Sequence, residues 1–318
     1  MPRPNIDLPK WIARIPQNVI DLPAESVSPI RHFHRGARDA WNLLDYFTRN
    51  VGRTNVHPAA FERHQHRLRR LVIVALAEAF ERYLKEVGAI CVDHVAPLVT
   101  DDRLKVLPVT AIGVAAHFKE DGLGKALCEA STWLDCDAVT KRFGRLLADH
   151  HSTSQGLRLF AQDVDADRYT ALKTVFQLRH SIVHNLGVIT GSDAAKLRLL
   201  TKRKVEPKQL WPTNGDVMYV KLFLEDTADW MNEQVIRRLE TLLTDLHGAD
   251  NSLFVPADKA QELATQFSTS ATTCSRFFAA LNDHQYVSGR GAARTIHRER
   301  KWLLKRSRTR KTRPRRPM

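Results

Sequence analysis

Apolar residues recur at three- and four-residue steps along most of the chain, which is the spacing of amphipathic helices. This pattern predicts the longer helices over residues 30–50, 58–86, 135–148, 167–187 and 226–247. It predicts shorter helices over residues 110–118, 123–134, 192–200, 257–267 and 272–281. Residues 217–224, VMYVKLFL, are the one good strand candidate, and a single strand has too few partners to build a sheet. The expected fold class is therefore all-α.

Proline content and charge divide the chain into four parts. Residues 1–29 hold six prolines, which interrupt helices and remove backbone donors, so we expect an extended N-terminal arm there. A helical bundle over residues 30–190 follows, and additional C-terminal helices are expected over residues 191–285. Residues 286–318 are expected to form a disordered, flexible basic tail.

The helix over residues 58–86 is expected to be central in the bundle. Proline stands in its first turn, its first half is basic, and Gly88 is expected to close it. Residues 71–80 are apolar almost all round, as in a helix that is buried on every side. Glu78 interrupts this run. Its carboxylate either orients a functional side chain or lies on the one solvent-facing edge of the helix.

The helix over residues 167–187 carries the candidate chemistry. Asp165 or Asp167 is placed to cap its start, Gly187 is placed to end it, and Asp226 is placed to cap the later helix over residues 226–247. Near its C-terminal end the apolar ladder is interrupted by four polar residues: Arg179, His180, His184 and Asn185. Such a group does not contribute to a helix core, which points to a functional site. The alternative is a set of surface polar residues near a helix end, where positive charge is favourable in any case.

The spacing of these residues limits what one helix can do. Five residues turn a helix by about 140°, so Arg179 and His184 diverge, whereas His180 and His184 share a face. Two copies packed about a two-fold axis would bring both arginines and both histidines to one cleft. The histidine pair also suits a helical zinc site, but no third ligand is evident in the sequence.

In the segment RHSIVH, a polar residue follows Arg179, and His184 stands five positions after Arg179. This segment resembles the motif of HEPN domains. Arg145 and His150 repeat the spacing, but no polar residue follows Arg145. HEPN domains are an all-helical family with many metal-independent ribonucleases, and the likeness in helical layout covers about residues 60–190. The resemblance implies a HEPN-like antiparallel bundle with its motifs at a dimer interface. It also implies phage defence, or a toxin that an inhibitor or antitoxin holds in check.

A shared cleft of this kind suits transfer of a phosphodiester to the neighbouring ribose 2′-hydroxyl. A neutral histidine accepts the hydroxyl proton, a protonated one donates to the departing 5′-oxygen, and Arg179 stabilises the phosphorane. Arg179 and His184 are thus the expected catalytic residues, and His180 and Asn185 are expected to tune hydrogen bonding. We expect an endoribonuclease that acts on RNA as a homodimer and needs no metal or other cofactor.

The formal net charge of the chain is +14 at pH 7, and most of it lies at the C-terminal end. Residues 298–318 contain eleven Lys or Arg and one Glu. This density favours binding to phosphate backbones with little sequence choice. The candidate RNA-binding residues there are Lys301, Trp302, Lys305, Arg306, Arg308 and Arg310. The alternative is a disordered basic end with no specific role.

Composition and missing motifs exclude several classes of protein. No run approaches the roughly 18 apolar residues that a membrane span needs, and the proline-rich start lacks the pattern of a secretory signal. Four cysteines without CxxC spacing favour a reducing compartment, so the expected location is the cytoplasm. The absence of GxxxxGK[ST], GxGxxG and GxSxG disfavours NTPases, dinucleotide-dependent enzymes and serine hydrolases of those types.

Two other functions remain open at this point. The first is a helical dimer that keeps the motif without turnover and acts by binding RNA or a protein partner. The second is a DNA-binding regulator, because residues 257–281 follow a helix, turn, helix pattern.

Overall fold

The computed structural model describes residues 28–51, 57–98, 101–107, 122–129, 131–148, 157–249 and 266–267. The α-helices in these ranges are α1 (Pro29–Asn50), α2 (Pro58–Val95), α3 (Leu123–Cys128), α4 (Cys136–Leu146), α5 (Ala166–His184), α6 (Gly191–Thr201) and α7 (Asn214–Ala249). Two short 3₁₀ segments, Ala96–Leu98 and Asp101–Val106, follow α2. Across these ranges, the only strand-like pairing is an isolated antiparallel bridge between Val188 and Gln209. The all-α fold class is confirmed.

Helix α2 lies at the centre and packs against α1, α3, α4, α5 and α7. Its direction relative to α1 follows from two contacts at opposite ends. His32 Nδ1 contacts Glu86 Oε2 at 3.0 Å, and Gln65 Nε2 donates to Thr48 Oγ1 at 2.9 Å. The early part of α1 thus meets the late part of α2, so the two helices are antiparallel.

Helix α5 is also antiparallel to α2. Arg70 donates to the Leu186 carbonyl, whereas Glu78, two turns further along α2, accepts from Arg179 on α5. This register places the candidate motif beside the middle of α2.

Helix α7 runs parallel to α2. Arg69 Nε donates to Asn214 Oδ1 at 2.6 Å near the start of α7, and the Tyr83 hydroxyl donates to the Ala228 carbonyl at 2.9 Å further along both helices. The long helices α1, α2, α5 and α7 therefore form a bundle with α2 at its centre.

One hydrophobic core joins these helices. Phe80 of α2 contacts the rings of Phe33, Tyr83, Phe160 and Phe176, which come from three other parts of the chain as well as from α2. Most of the buried apolar residues of α7, from Val217 to Leu243, belong to the same core, whereas Met218 and Leu222 form a small separate cluster beside Trp41. Helices on both sides of residue 190 thus bury their apolar faces together.

The prediction that Gly88 closes the second helix is wrong, because α2 continues to Val95. Gly88 lies in the helix interior, where a Cβ atom would stand 2.6 Å from Cη2 of Trp133. Trp133 is 1% exposed, and its indole N–H donates to the Cys128 carbonyl at 3.0 Å. The glycine therefore makes room for a buried tryptophan, which outweighs its poor helix propensity.

The strand prediction for residues 217–224 is wrong, because these residues lie within α7. Thr213 and Asp216 exchange side-chain to backbone hydrogen bonds at 3.1 and 2.7 Å, which is a capping box that starts the helix. Val217, Leu224 and Ala228 are fully buried at helical spacing. Asp226 consequently lies inside the helix and does not cap it.

Several smaller predictions can also be compared. Helix α4 begins at Cys136 with Asp135 as its cap, as expected, whereas α3 ends at Cys128 and not at residue 134. The N-terminal arm, the helices predicted over residues 110–118 and 272–281, most of that over residues 257–267, and the basic tail lie outside the described residues.

Candidate active site

Helix α5 is held firmly at both ends. At its start, the Asp165 side chain accepts from the Arg168 backbone at 2.9 Å, which confirms one of the two predicted caps. At its end, the chain turns through Leu186 and Gly187, with φ of 53° and 82°. A side chain at Gly187 would clash with the guanidinium of Arg70, so glycine is needed there for both backbone and space.

Arg70 fixes the end of α5 from the side of α2. Its side chain is buried, and Nη1 donates to the Leu186 carbonyl at 2.6 Å. A cation at this position satisfies a carbonyl of the helix end and interacts favourably with the helix dipole. The motif is therefore presented by a rigid part of the bundle.

Arg179 lies between α5 and α2. Its Nη2 donates to Glu78 Oε1 at a long 3.4 Å, and the two side chains are 22% and 54% exposed. Its Nε is buried and has no hydrogen-bond partner among the described residues. The guanidinium is thus oriented by a carboxylate and keeps donors for another acceptor.

His180 and His184 lie together on the solvent side of α5. Their ring centroids are 4.6 Å apart, the rings are inclined by 44°, and both residues are exposed. Imidazole groups in this position are accessible to a substrate or to a second protein. The structure therefore brings Arg179 to Glu78 and His180 to His184 as two separate pairs within one chain.

Asn185 contributes to the architecture of the helix end. Its side chain donates to Asp193 Oδ2 at 3.0 Å, and Gln177 donates to Oδ1 of the same carboxylate at 2.8 Å. Burial alone raises the pKa of Asp193, but hydrogen bonds from Thr190, Ser181 and Asn185 outweigh it and lower the pKa. Asn185 thus ties α5 to the start of α6.

The Asp193 cluster was missed by the sequence reasoning. Thr190 and Asp193 form a capping box at the start of α6, and this spacing was the signal in the sequence that could have revealed it. Asp193 is 3% exposed, so its charge is held entirely by these hydrogen bonds. The cluster positions the C-terminal turn of the motif helix.

Exposed apolar side chains surround the motif. Leu71 on α2 is 62% exposed, and Val183 and Leu186 on or just after α5 are 40% and 81% exposed. Since α2 and α5 are antiparallel with Glu78 opposite Arg179, these three residues lie on the same open side of the helix pair. An exposed apolar surface beside functional polar groups is typical of an interaction site.

Cavities open on both sides of the motif. His180 lines a cavity of about 460 Å³ between α4, α5 and α6, whose rim includes Lys173 and Lys196. Glu78 lines a cavity of about 720 Å³ that extends along α2. One cavity therefore lies beside His180 and another beside Glu78.

Metal binding needs several donor groups that converge on one point. Within the described ranges, no three His, Cys, Asp or Glu side chains are placed to hold a metal ion together. His180 and His184 supply two nitrogen ligands without a third group beside them. None of the helices in the part of the chain described here has the length and apolar character to cross a membrane.

The sequence-predicted residues fall into three groups. Arg179, His180, His184 and Glu78 lie around the C-terminal half of α5, and Asn185 lies at its end. The proposed tail residues, from Lys301 to Arg310, and nearly all of the helix-turn-helix candidate lie outside the described residues. Comparison of the chain with protein-family models, curated proteins and solved structures found no match.

Proposed function

We propose that this protein is a metal-independent, HEPN-like endoribonuclease whose cleft is formed by two copies of α5. The observation that carries the proposal is the pairing of an arginine with unfilled donors and two exposed histidines, all on one rigid helix. Arginine matches the shape and charge of a phosphate, and histidine exchanges protons near neutral pH. Together they supply the groups that cleavage of an RNA backbone requires.

The reaction proceeds through the ribose 2′-hydroxyl. His184 of one copy accepts the hydroxyl proton as the 2′-oxygen bonds to phosphorus, and His184 of the second copy donates a proton to the 5′-oxygen as its bond to phosphorus breaks. Arg179 stabilises the additional negative charge on the phosphorane. The products are a 2′,3′-cyclic phosphate and a free 5′-hydroxyl, and DNA is not cleaved because it lacks the attacking group.

The need for two copies follows from the directions of the side chains. Arg179 points towards α2 and Glu78, whereas His184 lies on the solvent side of α5. A two-fold axis near Val183 and Leu186 would bury those exposed apolar groups and place each arginine near the histidine of the other copy. An apolar surface around polar catalytic groups supports this arrangement.

The second candidate function is RNA binding without cleavage. The observation in its favour is the Glu78 carboxylate, which stands 3.4 Å from Arg179 and weakens the positive field at the motif. Binding and cleavage are separated by a rate measurement on intact RNA. From the resemblance to HEPN domains we further propose, for either function, a role in phage defence or in a toxin pair, with an inhibitor or antitoxin as a further partner.

The proposal is tested with single-residue variants of the full chain. Arg179→Ala and His184→Ala are each expected to lower the rate of RNA cleavage by at least about a hundredfold, because general acid–base and electrostatic terms have that size. Neither residue belongs to the hydrophobic core, so the dimer is expected to persist in light scattering.

Matched controls come from the same chain. His57 is exposed and makes no side-chain hydrogen bond at the start of α2, and Arg145 is exposed on α4. His57→Ala and Arg145→Ala are expected to cleave RNA at the wild-type rate. Full activity in an Arg179→Ala/His184→Ala double variant would refute the assignment of the motif.

A further inference from the structure

Trp211 is a large aromatic residue on the surface beside the motif helix. It is 53% exposed, and one face of its indole rests on the His66 ring. His66 is 1% exposed, and its Nε2 lies 3.2 Å from the Leu210 carbonyl. Because the support is buried and hydrogen-bonded through Nε2, the indole is held in place while about half of the Trp211 surface stays exposed.

The side chains of α2 around this indole are rich in positive charge. Arg69 donates to Asn214, Gln65 and the Pro212 carbonyl, all of which are neutral acceptors. Arg70 donates to the Leu186 carbonyl, which is also neutral. Within the described ranges neither arginine forms an ion pair, and the Glu62 and Asp216 carboxylates act on Arg69 only from beyond ion-pair distance.

The same positive surroundings affect the pKa of His66. Burial lowers the pKa of His66, and the neighbouring charges of Arg70 and Arg69 lower it further, to about 4. The imidazole is therefore neutral at physiological pH. Because the ring beneath the indole is neutral, the positive charge of this surface comes from the arginines.

We propose that Trp211, together with Arg67 and Arg69, forms a stacking platform for single-stranded RNA. An exposed aromatic ring stacks on any base, and nearby arginines attract the backbone, which is the combination found in proteins that bind single strands without sequence choice. The identity of the strand as RNA rests on the function proposed above. The platform makes that function more specific, because the substrate must have unpaired bases next to the cleavage position.

The platform is structurally connected to the motif. Leu210, the residue before Trp211, donates its backbone N–H to the Gly187 carbonyl at 2.7 Å. Gly187 lies three residues beyond His184, and Arg70 joins the platform to the same turn through Leu186. A strand with one base on Trp211 therefore reaches the end of α5 within a few nucleotides.

The test measures binding of a short, fluorescein-labelled single strand of 2′-O-methyl RNA to the full-length protein. This probe cannot be cleaved through a 2′-hydroxyl, so affinity is measured without turnover. Trp211→Ala is expected to weaken binding about tenfold or more, and Trp211→Phe to restore most of it. Tyr219→Ala is the matched control, since Tyr219 is 52% exposed on α7, and it is expected to bind like wild type.

The charge of the platform is tested by the salt dependence of binding. Arg67 is exposed, and Arg67→Gln is expected to reduce the slope of log K against log salt by about 0.7, the value for one phosphate contact on a single strand. Arg35, exposed on α1 beside Asp39, provides the control. Arg35→Gln is expected to leave the slope unchanged.

Two results would overturn the platform. The first is wild-type affinity for the single strand in Trp211→Ala. The second is an equal loss of affinity for a duplex of the same sequence, because stacking on an unpaired base predicts a loss for the single strand alone. The platform proposal and the ribonuclease proposal can be refuted independently. Tight, Trp211-dependent binding without cleavage of ordinary RNA would refute the ribonuclease proposal and support the platform.

Discussion

The Arg179 guanidinium has more hydrogen-bond donors than there are acceptors for them in the described part of the chain. Its Nε is buried without a partner in the described part of the chain, and the contact to Glu78 is long at 3.4 Å. A buried charged donor without an acceptor costs about 1–3 kcal/mol or more. The arginine therefore does not serve the stability of the bundle, and a phosphate oxygen would supply the acceptor that it lacks.

Glu78 is the residue that orients this arginine. An exposed ion pair contributes at most about 1 kcal/mol to stability, and Glu78 is 54% exposed. Glu78→Gln is therefore expected to lower the cleavage rate severalfold while the melting temperature stays within a few degrees of wild type. Cleavage rates and thermal melts of the same preparations provide the measurement.

A control for this variant is available where the end of α3 meets α2. Glu129 pairs with Lys85 at 3.6 Å and is 40% exposed, so Glu129→Gln removes a similar surface pair away from the motif. It is expected to leave the cleavage rate unchanged. A well-folded and fully active Glu78→Gln variant would show that the carboxylate only occupies a solvent-facing edge.

At the scale of single elements, helical periodicity predicted a helix correctly where one face of that helix packs against a single core. It predicted α1 and the position of the motif near the end of α5, since both follow an apolar stripe with clear end signals. It failed at Gly88 because the reason for that glycine is Trp133, which is distant in sequence. Contacts between elements are not visible in local spacing.

The first half of α7 illustrates a second limit. Residues 217–224 are mostly apolar, and such a run satisfies the strand pattern as well as the helix pattern. The decisive signal was the capping pair of Thr213 and Asp216, followed by a stripe that continues for many turns. In the same way, the role of Asn185 depends on Asp193, and the sequence alone did not connect the two residues.

Helices α1 and α7 are joined by a partly buried ionic cluster, in which the His34 side chain is 32% exposed. His34 Nε2 contacts Asp229 Oδ1 at 2.8 Å and His34 Nδ1 lies 3.8 Å from Glu225, whose carboxylate also accepts from Lys221. Burial alone lowers the pKa of His34, but hydrogen bonds to Asp229 and Glu225 outweigh it and raise the pKa to about 9. The protonated imidazole therefore holds two carboxylates of α7.

This cluster predicts a loss of stability in mild alkali. A histidine with a pKa of 6.5 when unfolded and about 9 when folded stabilises the protein fully below pH 6.5, and the contribution is lost as the pH rises through 9. The free energy of unfolding in urea is expected to fall by about 1–3 kcal/mol between pH 7 and pH 9.5. In His34→Gln this fall is expected to be largely absent.

His57 provides the comparison for that measurement, because it is exposed and its side chain makes no capping hydrogen bond. His57→Gln is expected to show the same pH dependence as wild type. If His34→Gln lost stability between pH 7 and pH 9.5 as steeply as wild type, the loss would have to come from groups outside this cluster.

At the scale of the whole molecule, the bundle presents the motif on a surface that is apolar around its polar centre. Leu186 is 81% exposed and adopts a left-handed conformation that costs a leucine roughly 1–2 kcal/mol. The conformation caps α5, since the Gly187 N–H donates back to the Ser181 carbonyl at 3.1 Å. The exposure of the leucine side chain has no such role within one chain, and it is accounted for if a second copy covers this side of α5.

Leu186→Glu is therefore expected to convert the dimer into a monomer and to abolish RNA cleavage, because a carboxylate at the two-fold axis would face its own copy. The fold is expected to persist, since the side chain is exposed. Light scattering at matched concentrations gives the mass, and circular dichroism checks the helices. Leu199 on α6 is also 81% exposed, so Leu199→Glu is the control and is expected to remain dimeric.

The central claim concerns chemistry at a site shared by two chains, and it is tested most directly by the products formed from RNA. The purified protein is incubated with end-labelled single-stranded RNA in excess EDTA, and the new ends are identified by mass spectrometry. The account predicts fragments with 2′,3′-cyclic phosphate and 5′-hydroxyl ends, and none from RNA methylated at every 2′-oxygen. Cleavage that requires a divalent metal ion, or fragments with 5′-phosphate ends, would contradict it.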